Sequence, residues 1–351
     1  MFGMGKKSRQ LVGLDIGSSS IKAVELKASK SGYELVSFGM ETLAPDTVVD
    51  GAIMDAPQVA NAISKIFDTQ RIKTKNVATS VSGHSVIVKR VPLPLMTEDE
   101  LYDRIPSEAS QHIPFDIADV NLSYQLLESM DSQMDVLLVA VKKDKILNHT
   151  NVLAQAGKTP VVVDIDAFGL QNCFEVNYEP DAGQTVALLN IGASVMNINI
   201  VRGGAPLFTR DVSVGGNQYT DALQKELDLS YEDAERLKKG EEVAGVNEEH
   251  RGTILRSVSD ILILEIQKTF DFFRATASGE NIQRIYLAGG TARVPGLVDL
   301  LREEFALPVE ELYPFRKIVI NPGRHNEDQV RELAPRLAIA VGLALRSFDT
   351  P

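Results

Sequence analysis

Short runs rich in apolar and β-branched residues alternate with stretches of helical spacing along the whole chain, punctuated by glycine, serine and proline. Residues 11–16 and 21–26 are strand-like runs joined by Gly17-Ser-Ser-Ser20, which predicts a hairpin with a small-residue turn. A third strand is expected over 33–40. Val59, Ile63 and Phe67 then mark a helix over 57–67, and 77–81 returns to strand character. From His84 to about Pro160 the rhythm changes to strand 86–91, a helix opening at the capping box Thr97-Glu-Asp-Glu100, strands 122–127 and 135–141, and helix 144–156. This block carries Pro92-Leu-Pro94 near its start and Gly157-Lys-Thr-Pro160 at its end and reads as an inserted subdomain.

Strand 161–165 and helix 166–177 lead to a linker-like Tyr178-Glu-Pro-Asp-Ala-Gly183. The second half opens with another hairpin, strands 186–191 and 195–201 around Gly192-Ala-Ser194. Leu14-Asp-Ile-Gly-Ser-Ser-Ser20 and Leu189-Asn-Ile-Gly-Ala-Ser-Val195 agree at Leu, Ile, Gly and the later Ser, half a chain apart. A duplicated strand-turn-strand predicts two related α/β domains that face one another across a ligand cleft.

Composition narrows the classes of function. The 351 residues, 44% hydrophobic and 24% charged, are those of a globular chain with room for two domains. A net charge of −12 disfavours a broad nucleic-acid footprint. The one cysteine, Cys173, has no intramolecular partner, and the five histidines show no zinc-site spacing. Asp15 interrupts what would be the core of a signal peptide, and the longest apolar runs fall far short of the roughly 18–20 residues of a membrane span. Lys6-Lys7-Ser8-Arg9 reads as a solvated tail rather than a membrane-surface patch.

In a tight Gly/Ser turn the backbone N–H groups and hydroxyls point outward, and the absence of bulk at Gly17 and Gly192 lets an anion approach. Lys22 adds a point charge for a terminal phosphate, and Asp15 suits Mg²⁺ held through its water shell. Taken alone, Asp-x-Gly-x-Ser is equally the pattern of a plain turn beside a surface lysine. Three further segments bear on this. Leu287-Ala-Gly-Gly-Thr291 follows a strand, and its paired glycines allow a flat ring to lie against the main chain. A helix capped by Ser230 puts Glu235 and Lys238 on one face. The Ala- and Gly-rich stretch 333–346 predicts a closely packed helix.

The order of Leu14-Asp-Ile-Gly-Ser-Ser-Ser-Ile-Lys22, Leu189-Asn-Ile-Gly-Ala-Ser194 and Leu287-Ala-Gly-Gly-Thr291 resembles the two phosphate motifs and the adenosine motif of the actin-like ATPase superfamily. Gln111-His-Ile-Pro-Phe-Asp-Ile-Ala-Asp-Val-Asn121, Asp211-Val-Ser-Val-Gly-Gly-Asn217 and Ala234-Glu-Arg-Leu-Lys238 are similar to the PilM family of type IV pilus assembly proteins, relatives of FtsA. The resemblance implies an α/β, actin-like fold, a duplicated ribonuclease H-like architecture, with an inserted 1C subdomain as in FtsA. The expected division is 1–83 plus 161–180 for the first domain, 84–160 for 1C and 181–351 for the second, with helix 333–347 packed between the halves.

It also implies ATP with Mg²⁺ between Asp15, Gly17, Ser18, Ser19 and Lys22 on one side and Asn190, Gly192, Ala193 and Ser194 on the other. Gly215 and Gly216 join the second side, and adenosine is expected near Glu235, Lys238, Gly289, Gly290 and Thr291. The implied partner is the N-terminal cytoplasmic peptide of PilN, in a groove between the first domain and 1C, which ties the chain to the inner membrane indirectly. Pilus motor ATPases, the platform protein and self-association are further contacts the resemblance brings in, without residues to locate them.

Asn190 departs from the aspartate common at this place in the superfamily. An amide carries no charge to hold Mg²⁺ or orient water, so hydrolysis is expected to be slow or absent while binding persists. Asp166 stands where relatives often position water, and a helix N-cap is the competing role. Three alternatives remain open: an FtsA-like division or type II secretion scaffold, a sugar or acetate kinase, and a scaffold with a vestigial nucleotide site. The 84–160 block argues against the kinase. The chain's end shortly after the packing helix, without an amphipathic membrane-binding helix, is expected to favour PilM over FtsA.

Overall fold

The computed structural model describes residues 10–348 apart from 31, 131, 180 and 278. The basic cluster at 6–9 therefore lies outside the described residues. Three strands open the chain: β1 (Val12–Ile16), β2 (Ser20–Ser29) and β3 (Gly32–Thr42). They form an antiparallel meander because β1 is buried on both faces and the turn between β1 and β2 closes tightly, Gly17 N–H donating to Ser20 O at 3.1 Å. A small ribbon of β4 (Val48–Val49) and β5 (Ala52–Ile53) precedes α1 (Ala56–Thr69), whose N-cap Asp55 accepts from Gln58 N–H. The strand β6 (Asn76–Val81) then returns parallel to β1.

The crossover from β6 to the next parallel strand carries the insertion: β7 (Val86–Pro94), α2 (Glu98–His112), β8 (Val120–Met130), β9 (Gln133–Lys142) and α3 (Lys143–Gln155). Its three strands pair antiparallel in the order β7-β9-β8. They bury a separate core with α2, including Val91, Leu101, Ile105, Val136 and Leu138. The capping box at Thr97 and Glu100 is formed. The chain rejoins the first sheet at β10 (Thr159–Ile165), parallel to β6, and continues into α4 (Asp166–Tyr178).

The second half repeats the plan with β11 (Thr185–Ile191), β12 (Met196–Arg202) and β13 (Ala205–Val212) as a meander. Helices α5 (Gly216–Leu227), α6 (Tyr231–Lys238) and the 29-residue α7 (Glu248–Thr276) follow. Then come β14 (Arg284–Ala288), α8 (Leu297–Phe305) and β15 (Val309–Glu311), with β14 parallel to β11 and β15 parallel to β14. The sheets therefore share one order, β3-β2-β1-β6-β10 and β13-β12-β11-β14-β15. In the second half a single helix, α8, fills the crossover that the insertion occupies in the first.

The last part of the chain leaves the second sheet. The strand β16 (Ile318–Val319) pairs with β3 and extends the first sheet, and α9 (Glu327–Leu345) packs on β1 and β2. β3 has a free edge that β16 covers, and α9, which contains most of the helix expected between the halves, has its apolar face on the first sheet. Helix α9 also crosses α4, and the two share a core with Val186, Leu188 and Tyr286 of the second half. The crossing is a backbone contact, since a Cβ on Gly342 would lie 1.7 Å from the Gly169 carbonyl oxygen. Only glycine permits that approach.

Candidate functional site

The turns after β1 and β11 meet between the halves. Gly192 N–H donates to Val195 O at 3.0 Å, the same closure as Gly17 to Ser20 in the first turn. Ser18 Oγ and Ser194 Oγ are hydrogen-bonded to one another across the divide. Behind them opens a cleft of about 610 Å³, within the roughly 300–1,000 Å³ usual for ligand sites.

Most of the residues expected from sequence line this cleft: Asp15, Gly17, Ser18, Ser19, Lys22, Asp166, Asn190, Gly192, Ala193, Gly216, Glu235, Lys238, Gly289, Gly290 and Thr291. Two stand just outside it. Ser194 makes the contact to Ser18, and Gly215 packs under the second turn, where a Cβ would lie 2.6 Å from Gly192 O. The second turn is braced from three sides: Gly216 N–H reaches Gly192 O at 2.9 Å, Asn217 N–H reaches Ala193 O at 2.8 Å, and Thr291 Oγ1 donates to Gly192 O at 2.8 Å.

Lys22 Nζ lies 3.1 Å from Asp15 Oδ2, both largely buried, so the two groups assigned to phosphate and metal neutralise one another here. Across the cleft floor Asp166 accepts from Ser80 Oγ at 2.5 Å. Burial, reinforced by the Asp15 carboxylate, pushes the Asp166 carboxyl up to about 6. The helix-cap role does not hold for Asp166. Ile165 occupies the N-cap position and Asp166 is the first helical residue, with its side chain turned to Ser80 and the cleft.

At the other end Lys238 forms an ion pair with Glu235 and donates to Thr220 Oγ1 at 2.9 Å. Burial pushes the Glu235 carboxyl up, but the Lys238 ammonium and the Thr220 hydroxyl outweigh it and hold it below its ordinary range. Gly289, at φ 91°, sits so close to β11 that a Cβ would lie 2.2 Å from Ile191 O. Its N–H donates to Pro335 O of α9 at 2.8 Å. Pro335 has no N–H for the Arg331 carbonyl one turn back, and Arg293 Nη2 takes that oxygen at 2.7 Å. The lining carries Lys22, Arg236, Lys238, Lys239, Arg293 and Arg336 against an equal number of carboxylates. The cleft is therefore far less hostile to an anion than the net −12 of the whole chain suggests.

Asn197 and Lys145 gave no signal in the sequence, and Asp211 opened a matched segment with no site role attached to it. Asn197 and Asp211 stand beside Asn190 only because β11, β12 and β13 are in register. Lys145 lies in the first turn of α3 and is buried, donating to Gly51 O at the cleft edge. Burial pushes Lys145 down, opposed by the charges of Asp166 and Asp211. Burial, with help from Lys145, also pushes His149 down to about 4.

Two sheets of identical strand order, with glycine turns facing across a cleft, define an actin-like ATPase fold. A family model described as type IV pilus assembly protein PilM matches residues 13–348, and the chain belongs to that family. A solved PilM-PilN type IV pilus biogenesis complex superposes with a TM-score of 0.87 at 26% identity, covering 98% of this chain and 100% of that one. MreB5 of Spiroplasma citri bound to ADP shares the fold, with a TM-score of 0.52 at 15% identity over 96% and 95% of the two chains. The cell division protein FtsA of Streptococcus pneumoniae is 24% identical over 93% of this chain and 80% of its own length. The ethanolamine utilization protein EutJ of Escherichia coli is 25% identical over 40% of this chain, which spans about half of EutJ (48%). Among the described residues no helix is long and apolar enough to cross a membrane.

Proposed function

We propose that this chain binds ATP with Mg²⁺ in the cleft and holds the N-terminal cytoplasmic peptide of a PilN-type membrane protein between its first half and the inserted subdomain. It would thereby join the inner-membrane complex of the pilus without crossing the bilayer itself. The observation that carries the nucleotide reading is the meeting of the two glycine turns over a cleft of about 610 Å³. A neighbour of the same fold is described as bound to ADP, and the similarity to a PilM-PilN complex over the full chain supports the peptide partner. Onward contact with motor ATPases or the platform protein belongs to the same proposal.

Turn N–H groups and the hydroxyls of Ser18 and Ser19 suit phosphate oxygens, and Lys22 suits the terminal phosphate once it exchanges Asp15 for it. The donors facing the cleft fit Mg²⁺ in one way. Asp15, Asp166 and Asn190 offer oxygen, and two carboxylates near enough to raise the Asp166 proton affinity favour a cation. Among the described residues no three acidic, histidine or cysteine groups converge as direct ligands, so the ion would keep most of its waters. When bound it supplies neutralisation of phosphate charge. The adenosine end would rest on Gly289 and Gly290 beside the Glu235–Lys238 pair.

Hydrolysis should be slow because Asn190 is uncharged and offers no carboxylate to hold Mg²⁺ or orient water. The test is calorimetric titration of a synthetic peptide of the partner's cytoplasmic tail, with and without ATP and Mg²⁺, beside a phosphate-release assay. Peptide binding, ATP binding and turnover well below the ordinary ~1–10³ s⁻¹ are expected. Absence of ATP binding ends the nucleotide reading, and absence of peptide binding in both conditions ends the tether.

A further inference from the structure

We propose that Asn190, Asn197 and Asp211 form a directional hydrogen-bond relay from the nucleotide cleft to Gly83, the hinge of the inserted subdomain. This makes Asp211 a positioning residue for Asn190. The inference rests on the nucleotide reading above. Asn190 and Asn197 are cross-strand neighbours on β11 and β12, and Asn197 and Asp211 are neighbours on β12 and β13. The three side chains therefore run across the sheet at right angles to the strands. Asn190 Nδ2 donates to Asn197 Oδ1 at 2.8 Å, Asn197 Nδ2 donates to Asp211 Oδ1 at 2.8 Å, and Gly83 N–H donates to Asp211 Oδ2 at 2.6 Å.

Chemistry fixes the direction. An ionised carboxylate only accepts, so Asn197 must turn its NH₂ to Asp211 and its oxygen to Asn190. Asn190 must then donate one N–H of its NH₂ to Asn197, which leaves its carbonyl oxygen and its second N–H for a ligand in the cleft it lines. That oxygen accepts from a donor such as metal-bound water. The second N–H serves a phosphate oxygen. Either contact draws the amide against its bond to Asn197, so ATP·Mg²⁺ in the cleft is felt along the relay.

The far end is placed to pass this on. Gly83 is buried at φ 91°, between the last strand of the first sheet to precede the insertion and β7. A Cβ there would lie 2.9 Å from Asp50 O, so the hinge is tightly held. Next to it His84 Nε2 and Ser213 Oγ are 3.1 Å apart, a second link between β13's end and the insertion. A smaller cavity of about 230 Å³ has Asp211, Gly83 and Asp166 in its wall, so the far end of the relay borders open space on one side.

The donor order also accounts for Asn190 itself. An aspartate at 190 would face Asn197 Oδ1 or force it round against Asp211, and either way two acceptors would collide. The pair can be exchanged. With Asn190→Asp and Asp211→Asn together, every bond re-forms in reverse: Asp at 190 accepts from Asn197, Asn197 accepts from Asn at 211, and that residue's oxygen still accepts from Gly83 N–H.

The experiment uses the full chain, its two single variants and the double exchange. Each is measured for ATP·Mg²⁺ affinity by calorimetry and for hydrogen exchange over residues 83–88 with and without nucleotide. In the wild type, ATP·Mg²⁺ should change exchange of this segment by about fivefold or more, the lower range of energetic coupling between sites. Asn190→Asp should bring that factor close to one, Asp211→Asn, in which all three amides can turn over and keep every bond, should retain it, and adding Asp211→Asn to Asn190→Asp should restore it, a non-additivity that a loss of packing alone does not produce. A wild type that binds ATP yet leaves the segment unchanged overturns the relay. So does a double exchange no better than Asn190→Asp alone, whether that single variant folds well or poorly. A wild type that takes up no ATP is read separately in the calorimeter; it removes the ligand proposed for the cleft and the relay's input with it.

Discussion

Replacing Asp166 with Asn should change how the stability of the protein depends on pH. In the unfolded chain this carboxyl releases its proton near 3.8, whereas in the folded protein burial and the Asp15 carboxylate hold the proton to about 6. Between those values the folded state binds more protons than the unfolded one, so stability falls as pH rises and the whole contribution is gone above 6. At 1.36 kcal/mol per pH unit the displacement amounts to roughly 3 kcal/mol. Asparagine keeps an oxygen for the Ser80 hydroxyl and carries no proton to lose. Urea unfolding of wild type and Asp166→Asn from pH 4 to 8 should give curves that diverge, the wild type losing about 3 kcal/mol relative to the variant by pH 7 and nothing further beyond. Saturating Mg²⁺ and ATP should shrink the gap, because a cation in the cleft offsets the repulsion. Parallel curves would refute the claim that Asp166 is a strained acid of the cleft.

Gly342→Ala puts a methyl group 1.7 Å from the Gly169 carbonyl oxygen, a backbone atom that cannot swing aside, and should cost more than the ~1–3 kcal/mol of ordinary overpacking, read as a fall in thermal midpoint or in yield of folded protein. Gly252→Ala is its counterpart: nothing lies within 4 Å inside α7, and the same change should raise stability by about 1 kcal/mol. Lys22→Met removes the cation beside Asp15 and should weaken ATP binding about 10–100-fold by calorimetry, the range of one charge-assisted hydrogen bond; unchanged affinity would take Lys22 out of the phosphate site. Glu235→Ala leaves the buried Lys238 ammonium without its carboxylate and should cost about 3 kcal/mol at neutral pH. Part of that loss should return as pH is raised towards 9, since burial depresses Lys238 and the variant depresses it further.

What could be read from the sequence was whatever the backbone itself demands. Both hairpins were visible because a tight turn needs Gly17 and Gly192, and the match between the halves located the cleft before any side-chain geometry was known. The insertion announced itself through the Thr97 capping box and a change of rhythm. Helix α7 was not anticipated, although Leu255, Val258, Leu262, Ile266, Phe270 and Phe273 recur at three- and four-residue steps and carry the signal. The two-residue strand β16 carried none, since its pairing with β3 depends on where the rest of the chain places it. The same holds for Asn197 and Lys145. Each looks like an ordinary polar residue of a strand or helix, and only register or tertiary burial brings it to the cleft.

The duplication explains why the ligand site lies where it does and why it is sensitive to motion. Each meander ends its first strand in a glycine turn, and the turns face one another because α4 and α9 cross backbone to backbone at Gly169 and Gly342, which fixes the separation of the halves. At that separation Ser18 and Ser194 bond directly, so a triphosphate seated between the turns must replace their hydrogen bond with its own oxygens. Loss of that one bond costs only about 1 kcal/mol, less than the several N–H and hydroxyl donors gain from phosphate. The turns are thus poised to part around an anion while the helix crossing stays intact. Any such movement carries the second sheet as a unit, Asn190 and Asp211 together, against Gly83 at the start of the inserted subdomain, to which Asp211 is hydrogen-bonded. A subdomain inserted in the β6 to β10 crossover, rather than appended at an end, is therefore in mechanical contact with the cleft from both of the sheets that line it.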